Sequence, residues 1–391
     1  MTILKICFAI CEYNPFHNGH LKHLEHIKQN LQVDAVVVIL SGNFTERGDI
    51  AVIDKYTRAT HAIKAGADMV IELPTVFATS NAEIFAKGAI KIIDAINCEK
   101  ILCFGSESGN IDEILNASNV LSSESNEFKE ELLKQLKSGV SYAKARATAI
   151  ETIENVDSAV ISSPNNILGI EYLKAIKNAG SDIQAYTFKR QGGGYNDNAL
   201  NEESSSALAI RTAIENGNLN GVKNSVPPFV FSDLPNSLHN IDGLVLQSVL
   251  NAKKEFMSNI LDCSEGLENA FKKHALSAIT LKELMKLVKS KRYTETRIKR
   301  ILTHCLLGID KQFILDCLNS DLYFKVLAIN KNRLDLLTIL SSSKYPLITR
   351  KSDENALSET ALKCFYKDCY ANSVYQIATR TKLKHYEMKK V

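Results

Sequence analysis

Ala35-Val36-Val37-Val38-Ile39-Leu40 is an apolar, largely β-branched run without a polar break. A strand with one face in water alternates apolar and polar residues. An unbroken run is covered on both faces, as in parallel sheets sandwiched between helices. The neighbouring segments support this reading. Ile3–Ile10 and Met69–Leu73 read as buried strands, the latter stopped by Pro74, and Lys100–Phe104 as a shorter one ending at Gly105. Helical periodicity occupies Leu21–Leu31, about Lys55–Ala65, and Asn81–Ile96. The βαβαβ order predicts a parallel sheet with right-handed crossovers, a Rossmann-like α/β domain. Ile183–Phe188 reads as a later strand and Ser206–Asn216 as a helix.

The chain has 391 residues, beyond the roughly 100–200 of one domain. The pattern changes at Val226-Pro227-Pro228, where consecutive prolines disfavour helix and central strand. We therefore expect a Rossmann-like catalytic domain over residues 1–225 and a mainly helical domain over 226–391. Thr280–Lys289 and Thr294–Leu307 are among the helices of the second half. Gly192-Gly193-Gly194 reads as a local flexible loop, and no internal repeat is visible.

The N-terminus has no basic, apolar and small-residue order of a signal peptide. No apolar run reaches the roughly 20 residues that span a bilayer. These features lead to the expectation of a cytoplasmic protein without membrane attachment. The nine cysteines form no C-x-x-C pair and read as reduced, mostly buried thiols. Net charge is only +3, but its distribution is uneven. Lys286, Lys289, Lys291, Arg292, Arg297, Lys299 and Arg300 cluster against Glu295 alone, and the tail carries Arg380, Lys382, Lys384, Lys389 and Lys390. Such clusters neutralise nucleic-acid phosphates or form solvated helix faces.

Ligands of parallel α/β sheets bind beyond the carboxyl ends of the strands. There the first strand gives way to Cys11-Glu12-Tyr13-Asn14-Pro15-Phe16-His17-Asn18-Gly19-His20, followed by a helix. Gly19 allows a ligand close to the backbone, and the helix start directs N–H groups and a positive dipole at it. Two imidazoles three residues apart face one anion. They donate hydrogen bonds to oxygens that gain charge during attack at phosphorus. His17 and His20 are thus the candidate catalytic pair. No all-protein metal motif is present; His23 and His26 read as a surface pair.

The spacing His17-Asn18-Gly19-His20 resembles the H-x-G-H signature of the nucleotidylyltransferases and class I aminoacyl-tRNA synthetases, in which ATP is attacked at its α-phosphate. Ser206-Ala207-Leu208-Ala209-Ile210-Arg211 resembles their later S-S-T-x-I-R stretch. Leu208 departs from the usual hydroxyl residue, leaving Ser206 and Arg211 as the matching positions.

Longer blocks narrow the resemblance to the bacterial tRNA(Met) cytidine acetate ligase family. They are Glu12–His20, Ser41–Gly48, Asp54-Lys55 with Arg58, Gly66–Pro74, Phe104–Glu107, Pro164–Gly169, Arg190, Gly194-Tyr195 and, more loosely, Arg297–Arg300. The resemblance runs over the whole chain, densest to about residue 211. It implies activation of acetate by ATP as acetyl-adenylate. The acetyl group then passes to N4 of the wobble cytidine of elongator tRNA(Met).

It also implies an ATP-binding segment over Ile10, Cys11, Glu12, Tyr13, Asn14, Pro15, Phe16, His17, Asn18, Gly19, His20, Leu21, Lys22 and His23. Later nucleotide contacts map to Gly105, Asn165 and Arg190. Physically, Gly105 leaves room at a strand end, Asn165 suits ribose or base edges, and Arg190 suits phosphate or carboxylate. A turn, a helix cap and a surface charge are the plainer alternatives. Ser41, Asn43, Arg47, Lys55, Arg58, Arg211, Lys291, Arg297 and Arg300 are candidate phosphate or RNA contacts. For Lys55 and Arg58 a solvated helix face is the alternative, and Asp54 suits a helix cap. Magnesium is expected to arrive with ATP, held by phosphates and waters. No obligate protein partner is expected.

Two other functions compete. An adenylyltransferase acting on a small phosphorylated metabolite would share the H-x-G-H chemistry but keep AMP in its product. A silent nucleotide sensor or RNA-binding protein would not need His17, Gly19 and His20 intact.

Overall fold

The computed structural model describes residues 3–122, 126–140, 145, 148–152, 157–190, 205–290 and 293–391. Lys291, Arg292, the triple glycine at 192–194 and Tyr195 lie outside the described residues.

Seven strands form one sheet. They are β1 (Lys5–Cys11), β2 (Ala35–Ser41), β3 (Met69–Leu73), β4 (Glu99–Ser106), β5 (Gln184–Lys189), β6 (Val326–Ile329) and β7 (Lys389–Lys390). Their order is β5-β4-β1-β2-β3-β6-β7. The first five are mutually parallel, as the unbroken apolar runs require. Every residue of β2 is buried. Alternate side chains explain why. Val37 and Ile39 enter one apolar cluster with Ile6, Phe8 and Ile71. Val36, Val38 and Leu40 enter another with Cys7, Ala9 and Val70. The chain builds β1, β2 and β3 in one direction, then returns to place β4 on the other side of β1. This reversal opens a crevice at the carboxyl ends of β1 and β4, where open α/β sheets bind ligands.

The expected helices form within a few residues of their periodic segments. The first runs Asn18–Asn30, earlier than the apolar periodicity suggested, because His17 caps it. Asp54 caps Lys55–Lys64 and accepts from the N–H groups of Tyr56 and Thr57. Thr294 caps Glu295–Leu307.

The C-terminal half is mainly helical, but β6 and β7 belong to the common sheet. β6 pairs antiparallel with β3, and β7 pairs parallel with β6. β6 thus covers the hydrogen-bonding edge that β3 would otherwise expose. Four apolar residues are too short to register as a strand by periodicity.

Candidate active site

β1 delivers the chain into the crevice at Cys11. Tyr13 adopts a left-handed conformation, φ 49°, and the loop turns back to start a helix at Asn18. Both signature imidazoles take part in that start. Nδ1 of His17 accepts the Gly19 N–H at 3.1 Å, and Nδ1 of His20 accepts the His17 N–H at 3.2 Å. This is a capping box made by two histidines. The rings stack with centroids 3.6 Å apart. A Cβ at Gly19 would lie 2.9 Å from His17 Cε1, so any larger residue displaces the ring.

The cap also fixes the tautomer. A neutral imidazole whose Nδ1 accepts carries its proton on Nε2. Burial pushes His17 down to about 3, assisted by the Arg190 and Arg211 charges. Burial likewise holds His20 well below the ordinary imidazole range, with His17, Arg190 and His23 adding to the effect. Both rings are therefore neutral Nε2–H donors at neutral pH, suited to oxygens that gain charge at phosphorus.

One cavity unites most of the ATP-binding positions expected from sequence. Ile10 and Cys11 line it from the end of β1, Glu12, Tyr13 and Asn14 from the loop, and His17, Gly19, His20 and His23 from the helix and its cap. Gly105, Asn165 and Arg190 line it from the β4–β5 side. A Cβ at Gly105 would approach Arg190 Cγ to 3.1 Å, so the glycine makes room for the arginine stem. Asn165 Nδ2 donates to Glu107 Oε1 at 2.6 Å. The Asn166 N–H donates to Glu107 Oε2 at 3.0 Å. Glu107 thereby anchors the start of the helix Pro164–Ala179.

Arg47, Ser206, Leu208 and Arg211 also line it. Ser206 caps the helix Ala207–Glu215. Arg211 donates to the Asn14 carbonyl at 2.7 Å, and so binds the histidine loop from outside.

Other expected residues lie elsewhere. Pro15, Phe16, Asn18, Leu21 and Lys22 do not line the cavity. Phe16 packs on Tyr13 and Phe229, and Asn18 Nδ2 donates to the Asn224 carbonyl at 2.7 Å. Among the candidate phosphate contacts, Ser41 and Asn43 are buried. Asn43 accepts the Lys55 N–H and donates to Asn372.

The expectation that Lys55 and Arg58 reach a polyanion is corrected. Lys55 Nζ lies 2.6 and 2.8 Å from the two Glu72 carboxylate oxygens. Burial alone would lower its pKa, but Glu72 holds it above the ordinary lysine value. Arg58 is buried and donates to the carbonyls of Ile53, Glu12, Ser41 and Gly42. Such charges are paired inside the protein because an unpaired buried ion is costly.

Arg297 and Arg300, both partly exposed, also have partners within the protein. Arg297 donates to the Asp262 carbonyl at 2.9 and 2.6 Å and lies over the Tyr293 ring. Arg300 pairs with Glu46 at 2.9 Å. Sequence reasoning did not assign Glu46, Phe85, Phe104, Leu168, Tyr172 or Phe188 to the cavity. Glu46 sits in the Ser41–Gly48 block, a signal that could have found it. The apolar residues look like ordinary core in sequence.

Among the described residues no group of three His, Cys, Asp or Glu could hold a metal ion. Of the cavity carboxylates, Glu46 is tied to Arg300. Among the described residues these donors do not form a magnesium cage. Among the described residues, no helix is long and apolar enough to cross a membrane.

The sequence model of the family described as HIGH Nucleotidyl Transferase matches residues 4–390. A tRNA(Met) cytidine acetate ligase of Thermoanaerobacter sp. (strain X514) is 41% identical over 380 residues, covering 94% of each chain. The enzyme of that name from Clostridium tetani is 39% identical, covering 93% of this chain and 95% of its own. The crystal structure of apo Thermotoga maritima TmcAL superposes with TM-score 0.91 at 28% identity, covering 99% of this chain and 100% of that one. The same protein bound with alpha-thio ATP gives 0.87 at 29% identity, with the same coverage. The chain belongs to the HIGH nucleotidyl transferases and, within them, to the tRNA(Met) cytidine acetate ligase family.

Proposed function

We propose that this protein is an ATP-dependent ligase that acetylates N4 of the wobble cytidine of elongator tRNA(Met). The observation that carries the reading is the stacked pair of imidazoles, each with Nδ1 accepting a backbone N–H, in a cavity that Arg190 and Arg211 also line. An acetate oxygen attacks the α-phosphorus of ATP; the new P–O bond forms as the bond to pyrophosphate breaks. His17 and His20 donate to the phosphoryl oxygens as charge builds, while Arg190 and Arg211 offset the charge of the phosphates. The cytidine amine then attacks the acetyl carbonyl, and AMP leaves.

Residues 226–391 are assigned a share of the tRNA surface. Lys282, Lys286, Arg380, Lys382 and Lys384 are exposed there. Phosphate contacts of this kind weaken as salt rises. Magnesium is assigned to the ATP phosphates, and the tRNA substrate assigns the reaction to the cytoplasm.

The test is mass spectrometry of nucleosides from elongator tRNA(Met) incubated with protein, ATP, magnesium and isotopically labelled acetate, beside a His20→Ala control. Labelled N4-acetylcytidine that vanishes in the control is the expected result. AMP retained in a small-molecule product would favour the adenylyltransferase alternative. Absence of any labelled product from folded protein would overturn the ligase.

A further inference from the structure

The exocyclic amine of cytidine is a weak nucleophile, because its lone pair is delocalised into the pyrimidine ring. Its attack on an acyl phosphate needs a base to take the N–H proton as the C–N bond forms. The signature histidines cannot serve. Each Nδ1 is occupied by a backbone N–H, each Nε2 already carries the proton, and both rings are too weakly basic at neutral pH. Among the described cavity-lining residues the carboxylates are Glu12 and Glu46. Glu46 is committed to Arg300. Glu12 makes no ion pair among the described residues.

We infer that Glu12 is the general base of the acetyl-transfer step. The inference rests on the ligase reading above. In this step the cytidine N4 forms a bond to the acetyl carbon, and the bond from that carbon to the AMP phosphate oxygen breaks. The N4 proton passes to the Glu12 carboxylate, and AMP leaves as the anion.

The surroundings of Glu12 suit this task. Its Oε1 accepts the Glu46 N–H at 2.7 Å, which fixes the carboxylate beside the histidine loop. Its carbonyl accepts from Arg58 Nη1, so backbone and side chain are both held. Burial, with the Glu46 charge adding to it, raises its pKa to about 7 against the Glu46 N–H bond and the Arg211 and Arg58 charges. A base near the working pH is half available and still basic enough to take a proton. When protonated, the same group also presents no negative charge to incoming acetate.

The decisive variant is Glu12→Gln, whose amide oxygen can still accept the Glu46 N–H. Acetate-dependent ATP–pyrophosphate exchange reports the first step, and single-turnover acetylation of tRNA from preformed acetyl-adenylate reports the second. Glu12→Gln should slow transfer by about a hundredfold or more beyond whatever change it makes in exchange. Wild-type transfer should rise with pH and level off above about 7, whereas the variant should show no such rise. Glu12→Asp, which keeps a carboxylate, should retain pH-dependent transfer above the Gln level. Wild-type transfer rates in Glu12→Gln, or an equal fall in both steps, would overturn the assignment. Wild-type protein that makes acetyl-adenylate but acetylates no tRNA would instead overturn the ligase reading.

Discussion

Arg58, buried on the helix that follows β2, donates through Nη1 to the carbonyl oxygen of Glu12 at 2.5 Å. The same guanidinium reaches the carbonyls of Ser41 and Gly42 at the end of β2. One side chain thus ties together the two loops that leave the sheet beside the nucleotide cavity. Its planar fork bridges several acceptors at fixed angles, which an ammonium group cannot do. Arg58→Lys should lose at least one of these bonds, each worth about 1.5–3 kcal/mol to a charged donor. We expect a lower urea midpoint together with weaker ATP binding, measured by denaturation and calorimetry. A variant of unchanged stability would contradict the tie.

His20→Ala removes an Nε2–H donor and half of the capping box. Loss of one preorganised donor to a developing oxyanion typically costs 10²–10³ in rate, or about 3–4 kcal/mol. The lost cap costs about 1 kcal/mol of stability. Acetate-dependent pyrophosphate exchange should therefore fall far more than the melting temperature does. Equal exchange in variant and wild type would remove His20 from the chemistry.

Acid sensitivity follows from buried imidazoles. Burial pushes His304 down to about 3, with the Arg300 charge adding to it; its Nε2 lies 3.1 Å from Thr79 Oγ1. The unfolded chain protonates this ring near pH 6.5, and the folded chain only near 3. Its contribution is present above about pH 6.5 and is lost as pH falls toward 3, by about 1.4 kcal/mol per pH unit within that window. Glu12 and Asp368, both raised to about 7 by burial, act in the opposite sense. They bind protons in the folded state first, so their contribution declines as pH rises from about 4 to 7. The informative quantity is therefore the difference between wild type and His304→Gln. The variant should lose less stability between pH 6.5 and 5, as read by urea denaturation at each pH.

The Lys55–Glu72 pair is buried on both sides. Lys55→Met leaves the Glu72 charge without its principal partner, a loss of about 3–5 kcal/mol. Adding Glu72→Gln should restore much of that stability. A double-mutant cycle by urea denaturation measures it; additive effects would mean that the two charges do not depend on each other.

Sequence alone determined the parallel core and the chemistry of its first loop. Unbroken runs such as Ala35–Leu40 leave no face for water, and His17-Asn18-Gly19-His20 places two imidazoles at a helix start, where backbone donors are unpaired. Both signals are local, within one strand or one turn. Tertiary structure decided which distant residues share the cavity. Arg190, Asn165 and Gly105 meet the histidines because β4 lies beside β1 and β5 beside β4. It also decided which charges were available to ligand. Lys55 and Arg58 look like a solvated basic face in sequence, yet folding sets one on Glu72 and the other on loop carbonyls. A basic residue in a sequence carries no mark of its partner; only the packing of distant segments determines whether its charge meets solvent, a ligand or the protein itself.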